Sequence, residues 1–303
     1  MMTGLFMHDD CLNHITPEGH AEQVARMTSV SAALEPVSGL DRREAPLCEE
    51  ADILLCHPEG YLAKIRDGKP AQLDEDTWQS EGSYQAARRA VGGALAAVDA
   101  VLAGEMKNAF VACRPPGHHA ETAKPMGFCL FGTAAIAAKH ALERHGLSRV
   151  AVVDFDVHHG NGTQDLLWDE PRAFLATSQQ FPLWPGTGAA DVKGGHDNVL
   201  NVPLAPKTTG AEMREAYEAQ VFPRLEAFAP ELILISAGFD AHRADPLAQL
   251  EWETEDFMWL TERLCGVAET VCGGRVVSLL EGGYDLDALG ESAAAHVRAL
   301  QAA

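Results

Sequence analysis

An α/β domain with a mainly parallel central sheet flanked by helices is the fold class this sequence predicts. Three observations carry it. Short apolar, β-branched runs recur at 109–113, 150–154, 173–177, 198–202, 232–236 and 275–280. Segments with helical spacing of apolar residues lie between most of them. Alternation of the two is the signature of parallel strands joined by helical crossovers. No repeat and no Pro/Ser-rich linker interrupts the 303 residues, so one domain spanning 1–303 is expected.

The helical segments follow in order. Residues 84–102 are Ala-rich with apolar positions at helical spacing. Residues 132–145 form a second segment that stops at Gly146, a C-cap candidate. Residues 211–228 follow 208–210, and 254–271 open on Thr254-Glu255-Asp256 and stop before Gly273-Gly274. A last helix is expected over 287–300. The first 80 residues are less regular and are expected to decorate an edge of the sheet.

With 23 Lys and Arg against 44 Asp and Glu, the formal charge is −21, which argues against nucleic acid as a partner and favours cationic ligands. The seven Cys contain no CxxC pair, so neither a thiolate zinc site nor a disulfide framework is expected. The first ten residues lack a basic, apolar leader pattern, and no run reaches the roughly 18 apolar residues of a membrane span. A cytoplasmic protein in a reducing compartment, with no membrane partner, is the expectation; the oligomeric state is not legible.

In open α/β sheets ligands bind beyond the carboxyl ends of the strands. Four successive strand ends here carry reactive groups. Cys113 is followed by Arg114-Pro115-Pro116-Gly117-His118-His119, and Val153 by Asp154-Phe155-Asp156-Val157-His158-His159. Ser236 is followed by Ala237-Gly238-Phe239-Asp240, and Leu280 by Glu281-Gly282-Gly283-Tyr284. Side chains alternate along an extended chain, so Asp154, Asp156 and His158 share a face. Two carboxylates and an imidazole at one spot suit zinc, iron, manganese or magnesium. Asp156, His158 and Asp240 would make a three-ligand site with positions left for water and substrate, the arrangement of a catalytic metal. Asp154 would then orient a neighbouring imidazole. One of His118 and His119 could take a proton from water. The Tyr284 phenol could donate to a developing oxyanion.

These residues together resemble the histone deacetylase superfamily, with its three-layer, arginase-like α/β fold. The resemblance rests on Arg-Pro-Pro-Gly-His-His (114–119), Gly-Phe-Cys (127–129), Asp-Phe-Asp-Val-His-His-Gly-Asn-Gly-Thr-Gln (154–164), Trp-Pro-Gly-Thr-Gly (184–188), Ser-Ala-Gly-Phe-Asp-Ala-His (236–242) and Leu-Glu-Gly-Gly-Tyr (280–284). It extends from about Tyr84 to the C-terminus and more weakly back to Gly19-His20. Asn161 and Glu281 look like the class II branch, and the short chain looks like a bacterial or other stand-alone member.

The resemblance implies a deacetylase acting on linear amides of acyl-lysine, with zinc, or iron(II) in its place, on Asp156, His158 and Asp240. It implies His119 as general base and then acid, His118 paired to Asp154 as an electrostatic helper, and Tyr284 on the substrate carbonyl. Gly127, Phe128 and Trp184 match the acyl-lysine tunnel; Trp184 stands where Phe is more usual, which predicts a narrower or differently shaped tunnel. Asp76 resembles a rim carboxylate that grips substrate amides, and Arg26 an inner acetate channel. A structural K+ is implied on Asp154, the main-chain carbonyls of Asp156 and His158, Ser178 and the Gln179 carbonyl. Relatives often carry His at 179 or 180. Leu247 occupies the position where acetylpolyamine hydrolases of one type place an acidic gate, which argues against that alternative substrate, although Glu251 and Glu253 lie nearby in sequence. Two further alternatives are a catalytically inert binding module, opposed by the complete residue set, and a two-metal hydrolase of the arginase kind, which needs a second Asp-rich strand.

Overall fold

The computed structural model describes all 303 residues. Eight strands form one parallel sheet in the order β2-β1-β5-β10-β9-β6-β7-β8. They are β1 (Thr3–Met7), β2 (Leu40–Glu44), β5 (Asn108–Val111), β6 (Val150–Asp154), β7 (Ala173–Gln180), β8 (Val199–Leu204), β9 (Leu232–Ala237) and β10 (Val276–Leu280). A two-residue antiparallel pair, β3 (Ala71–Gln72) and β4 (Trp78–Gln79), stands apart. Every residue of β5, β6, β9 and β10 is buried. Uninterrupted apolar strands of this kind are what a parallel sheet covered on both faces requires. The helices α4 (Ser83–Leu102), α5 (Thr133–Arg144) and α6 (Asn161–Leu167) pack on one another and on the sheet. A second set, α1 (Ala25–Leu34), α8 (Phe222–Phe228), α9 (Thr254–Cys272) and α10 (Leu286–Ala302), packs as a separate group with contacts to β5 and β9. The short α2 (Glu50–Ile53), α3 (Glu59–Arg66) and α7 (Gly210–Ala216) complete the set. The apolar interior is one continuous cluster of 84 buried residues, and no helix is long and apolar enough to cross a membrane.

The six expected strands and four of the five expected helices form as single elements, with ends displaced by at most three residues. Helix α9 starts at Thr254 through a capping box between Glu253 and Asp256 and stops at Gly273, whose φ of 63° ends it in the left-handed conformation. The segment expected as one helix over 211–228 is interrupted by a π turn at Tyr217–Val221. Pro223 has no N–H to give, and the wider turn closes with Phe222 N–H donating to the Tyr217 carbonyl. The first 80 residues do more than decorate: they supply β1 and β2, the last two strands on one edge. Strand β2, Leu-Asp-Arg-Arg-Glu, is too polar to read as a strand, and that polarity is what an edge needs to avoid pairing with other chains.

Strand order positions the site. The chain leaves β5 for β6, builds outward to β8, then returns so that β9 and β10 fill the gap. The four adjacent central strands β5, β10, β9 and β6 are thus the four whose carboxyl ends carry the reactive residues. Their ends are level: Val111 sits beside Leu279, Leu280 beside Ala237, and Ser236 beside Asp154.

Candidate metal centre and catalytic pocket

Strand β6 ends at Asp154, yet the alternation of side chains persists. Asp154 Oδ1 accepts from the Asp156 N–H at 3.1 Å, and Asp156 Oδ1 from the His158 N–H at 2.9 Å. Each carboxylate folds the chain two residues on, as Asx turns do. From the neighbouring strand, Asp240 accepts from the Val157 N–H through Oδ1 at 2.9 Å and faces His158 Nδ1 through Oδ2 at 3.0 Å. Asp156, His158 and Asp240 are all buried, and their ligand atoms lie within 4.8 Å of one another. Glycine is required beside them: a Cβ at Gly282 would stand 2.3 Å from Asp240 Oδ2, and one at Gly238 2.1 Å from Asp156 Oδ2.

Two oxygen donors and one imidazole nitrogen are the donor set of a catalytic zinc or iron(II) site, and these residues fit such an ion. The local electrostatics agree. Burial, then the Asp156 charge, pushes the Asp240 carboxyl up to about 7. Burial opposes charge on His158, yet its hydrogen bonds with Asp156 and Asp240 raise it to about 10. The cluster is short of positive charge, the deficit a divalent cation would meet.

His118 and His119 enter from the loop after β5, their rings 3.9 Å apart. Their second nitrogens have different partners. His118 Nδ1 meets Asp154 Oδ2 at 2.9 Å. His119 Nδ1 meets Asn161 Oδ1 at 2.7 Å, and the Asn161 amide is oriented by donating to Glu121 Oε1 at 2.8 Å. Asn161 therefore accepts, His119 carries its proton on Nδ1, and its Nε2 has a free lone pair. Burial works against charge on both rings. The Asp156 and Asp154 carboxylates overcome it at His118, raising it well above the ordinary histidine value. At His119 the neighbouring His118 and His158 charges reinforce burial and hold it well below that value. A cationic ring thus stands beside a neutral one, which is the division of labour expected of helper and base.

Asp76, His119, Gly127, Phe128, His158, Leu183, Trp184, Leu247 and Tyr284 line a cavity of about 210 Å³. All the expected tunnel and rim residues are brought there; Leu183 was not foreseen. Trp184 packs edge-on against His119 at 4.8 Å, and Phe128 against Tyr284 at 5.6 Å. Asp76 Oδ1 is committed within the chain, accepting from Gly127 N–H at 3.1 Å and Thr77 Oγ1 at 2.9 Å. Arg26 is fully buried. It donates to the Gly283 carbonyl at 2.6 Å and the Glu281 carbonyl at 2.5 Å, and stacks over the Tyr284 ring at 5.0 Å, so it braces the tyrosine loop. Of the residues implied for K+, Asp154 stands at the end of β6 and Ser178 and Gln179 on the adjacent β7, with Ser178 Oγ bonded to Tyr217 OH at 2.7 Å.

The roles of four contributors were not legible in sequence. Glu281 Oε2 accepts from the N–H groups of Gly117 and His118 at 2.7 and 3.2 Å, while Oε1 takes Ser236 Oγ at 3.1 Å, so one carboxylate ties three strand ends. Glu22, fully buried, pairs with Arg114 at 2.5 Å and Arg26 at 3.2 Å. Burial would raise its carboxyl, but the Arg114 charge and the His14 hydrogen bond hold it well below the usual carboxylate range. Asp245 receives the N–H groups of Tyr284 and Leu247 at 2.7 and 2.9 Å and so sets both residues. Glu121 orients Asn161. Only the spacing of Glu281 before Gly282-Gly283 hinted at any of these.

A model of the histone deacetylase domain matches residues 20–300. The uncharacterized protein slr0245 of Synechocystis sp. is 43% identical over 300 residues, covering 96% of this chain and 97% of that protein. A protein of Pseudomonas aeruginosa named histone deacetylase-like amidohydrolase is 41% identical over 277 residues, covering 88% of this chain and 73% of the relative. Among solved structures, the crystal structure of the HDA15 HD domain superimposes with a TM-score of 0.94 at 30% identity, covering 100% of this chain and 89% of that one.

Proposed function

The chain belongs to the histone deacetylase family and is a hydrolytic deacetylase, and on that premise we propose that it removes acetyl or other short acyl groups from lysine side chains of proteins or peptides. In this reading residues 1–303 act as one catalytic domain, in the cytoplasm, with zinc or iron(II) on Asp156, His158 and Asp240. K+ would be held by Asp154, Ser178, Gln179 and the carbonyls of Asp156 and His158. The single observation that carries the reading is His119, bonded through Nδ1 to Asn161 Oδ1 at 2.7 Å so that Nε2 is left to accept, lining one cavity with His158 and Tyr284.

When bound, the divalent cation supplies Lewis-acid polarisation of the amide carbonyl and makes water a better nucleophile. His119 takes the proton of the attacking water on Nε2, and Asn161 keeps the ring in that tautomer. Tyr284 donates its hydroxyl hydrogen to the carbonyl oxygen as negative charge develops. His118, held cationic by Asp156 and Asp154, adds positive potential without moving a proton. His119 then returns its proton to the leaving amine. Phe128, Trp184 and Leu247 wall the cavity and exclude water from the alkyl stem.

An acyl-lysine stem suits those apolar walls better than a polyamine does. Leu247 carries no charge, and Glu253, the nearby acid, is engaged by Arg243 at 2.5 Å, with Glu251 4.0 Å from the same guanidinium. The test compares turnover of acetyl-lysine peptides and N-acetylputrescine, with a chelator control. Faster turnover of the diamine would overturn the substrate assignment. Tyr284→Phe should keep its metal and lose about a hundredfold in kcat, the scale of one oxyanion donor; near-normal turnover would remove Tyr284 from the chemistry.

A further inference from the structure

Far from the catalytic pocket, a second group of ligands converges. Asp99 lies in the last turn of α4, His140 in the last two turns of α5, and His145 caps α5. Both helices end just before the strands they feed, so the cluster sits at the amino ends of the strands, the opposite end of the sheet from the pocket. His140 Nε2 and His145 Nε2 each lie 2.7 Å from the same atom, Asp99 Oδ1. The two rings are 5.4 Å apart at 66° to one another, and all three ligand atoms lie within 4.8 Å.

We infer that Asp99, His140 and His145 form a second, surface site for a divalent transition-metal ion of the zinc class. Two imidazole nitrogens and a carboxylate oxygen are a donor set that zinc, cobalt(II) and nickel(II) accept. The surroundings favour a cation: the carboxyl ends of two helices meet there, each bringing the negative end of its dipole to a carboxylate that is already negative. Without an ion both rings donate Nε2–H to Asp99 Oδ1, and a bound cation takes the place of those two protons on the same three atoms. His57, by contrast, is locked, accepting from Gly132 N–H through Nε2 and donating to the Thr122 carbonyl through Nδ1. His140 Nδ1 has no partner, so the tautomer that presents the Nε2 lone pair is open to it. Ligands bound tetrahedrally at about 2.0–2.1 Å stand roughly 3.3 Å apart. The cluster must therefore widen by about half an ångström, a small shift for a helix-capping His and a carboxylate that is 53% exposed. Exposure of His145 at 30% gives the ion a route in and leaves room for a water ligand. A bound ion would clamp the ends of α4 and α5 together without touching the catalytic residues.

The experiment uses the full chain and counts metal. Asp240→Ala removes a ligand of the catalytic centre, so the remaining site can be read alone. After metal stripping, Asp240→Ala should bind one equivalent of Zn2+ by calorimetry and show Co2+ ligand-field absorption. Adding His145→Ala or Asp99→Asn should abolish both. These positions are exposed or half-exposed, so the fold is retained where His140→Gln could lose it. In otherwise unaltered protein, His145→Ala should reduce two equivalents to one and leave deacetylation unchanged. No binding by Asp240→Ala, or equal binding with and without His145→Ala, overturns the site and leaves Asp99 with hydrogen bonds only. If Asp240→Ala instead holds two ions, the catalytic ligand assignment fails, while loss of one of them on His145→Ala still supports this site.

Discussion

Gly127→Ala tests the geometry of the pocket most directly. Gly127 has φ of +56°, and a Cβ built there would lie 2.3 Å from His119 Cδ2, 2.7 Å from His119 Cγ and 2.6 Å from Trp184 Cη2. The left-handed backbone costs an L-residue about 1–2 kcal/mol. Overpacking adds about 1–3 kcal/mol, for roughly 2–5 kcal/mol of lost stability. His119 has little freedom to yield, because Asn161 holds its Nδ1 at 2.7 Å and the His118 ring lies 3.9 Å away. Trp184, 39% exposed, yields first and swings across the cavity. With the indole across the cavity the substrate amide is held off its productive position, and a misplacement of about 1 Å costs about a hundredfold in rate. The variant should therefore melt lower and lose about a hundredfold in kcat/KM on an acetyl-lysine peptide. Gly266→Ala is the control: it lies inside α9 with nothing within 4 Å of the new methyl group. It should gain about 0.5–1 kcal/mol in stability and keep full activity. Wild-type melting and turnover in Gly127→Ala would refute the placement of His119 and Trp184 around this glycine.

Other outcomes follow from the buried network. Glu22→Gln leaves the Arg114 and Arg26 charges buried without their counterion and should cost about 3–5 kcal/mol in urea denaturation; a loss under 1 kcal/mol would place those charges in contact with water. Glu281→Ala removes the acceptor of two N–H groups and should lower kcat about tenfold or more at unchanged KM, with Glu281→Gln restoring part of it, since each unmet buried donor costs about 1–3 kcal/mol. Equal kcat in the alanine variant would deny Glu281 a role in positioning His118 and His119. Burial lowers His57 to about 4. Its folded value lies below the unfolded value, so it stabilises the fold fully above about pH 6.5 and the contribution fades as pH falls from there toward 4, by roughly 3 kcal/mol. Gln can keep both hydrogen bonds of that ring, so His57→Gln should flatten stability against pH between about 6.5 and 4; an unchanged slope would refute it.

The sequence by itself determined what neighbouring residues encode. Apolar runs and caps mark the central strands and the long helices, because periodicity and the preferences of chain ends are local. The convergence of Asp154, Asp156 and His158 was legible for the same reason: alternation, maintained by carboxylates accepting from N–H groups two residues on. Strand β2 is not legible in the sequence because an edge strand carries the polarity of a loop. What only the tertiary structure decided are the pairings across the sheet: Asn161 on His119, Glu281 beneath Gly117 and His118, Glu22 between Arg114 and Arg26, and Asp99 on His140 and His145. Apart from Glu22 and Arg26, which are four residues apart, these partners lie tens to more than a hundred residues apart, and no local pattern links them. Glu281 meets Gly117 and His118 because β10 enters beside β5 late in the chain, and the others meet through the packing of loops and helices around the sheet; a strand's or helix's place depends on the surface it buries against elements not adjacent in sequence.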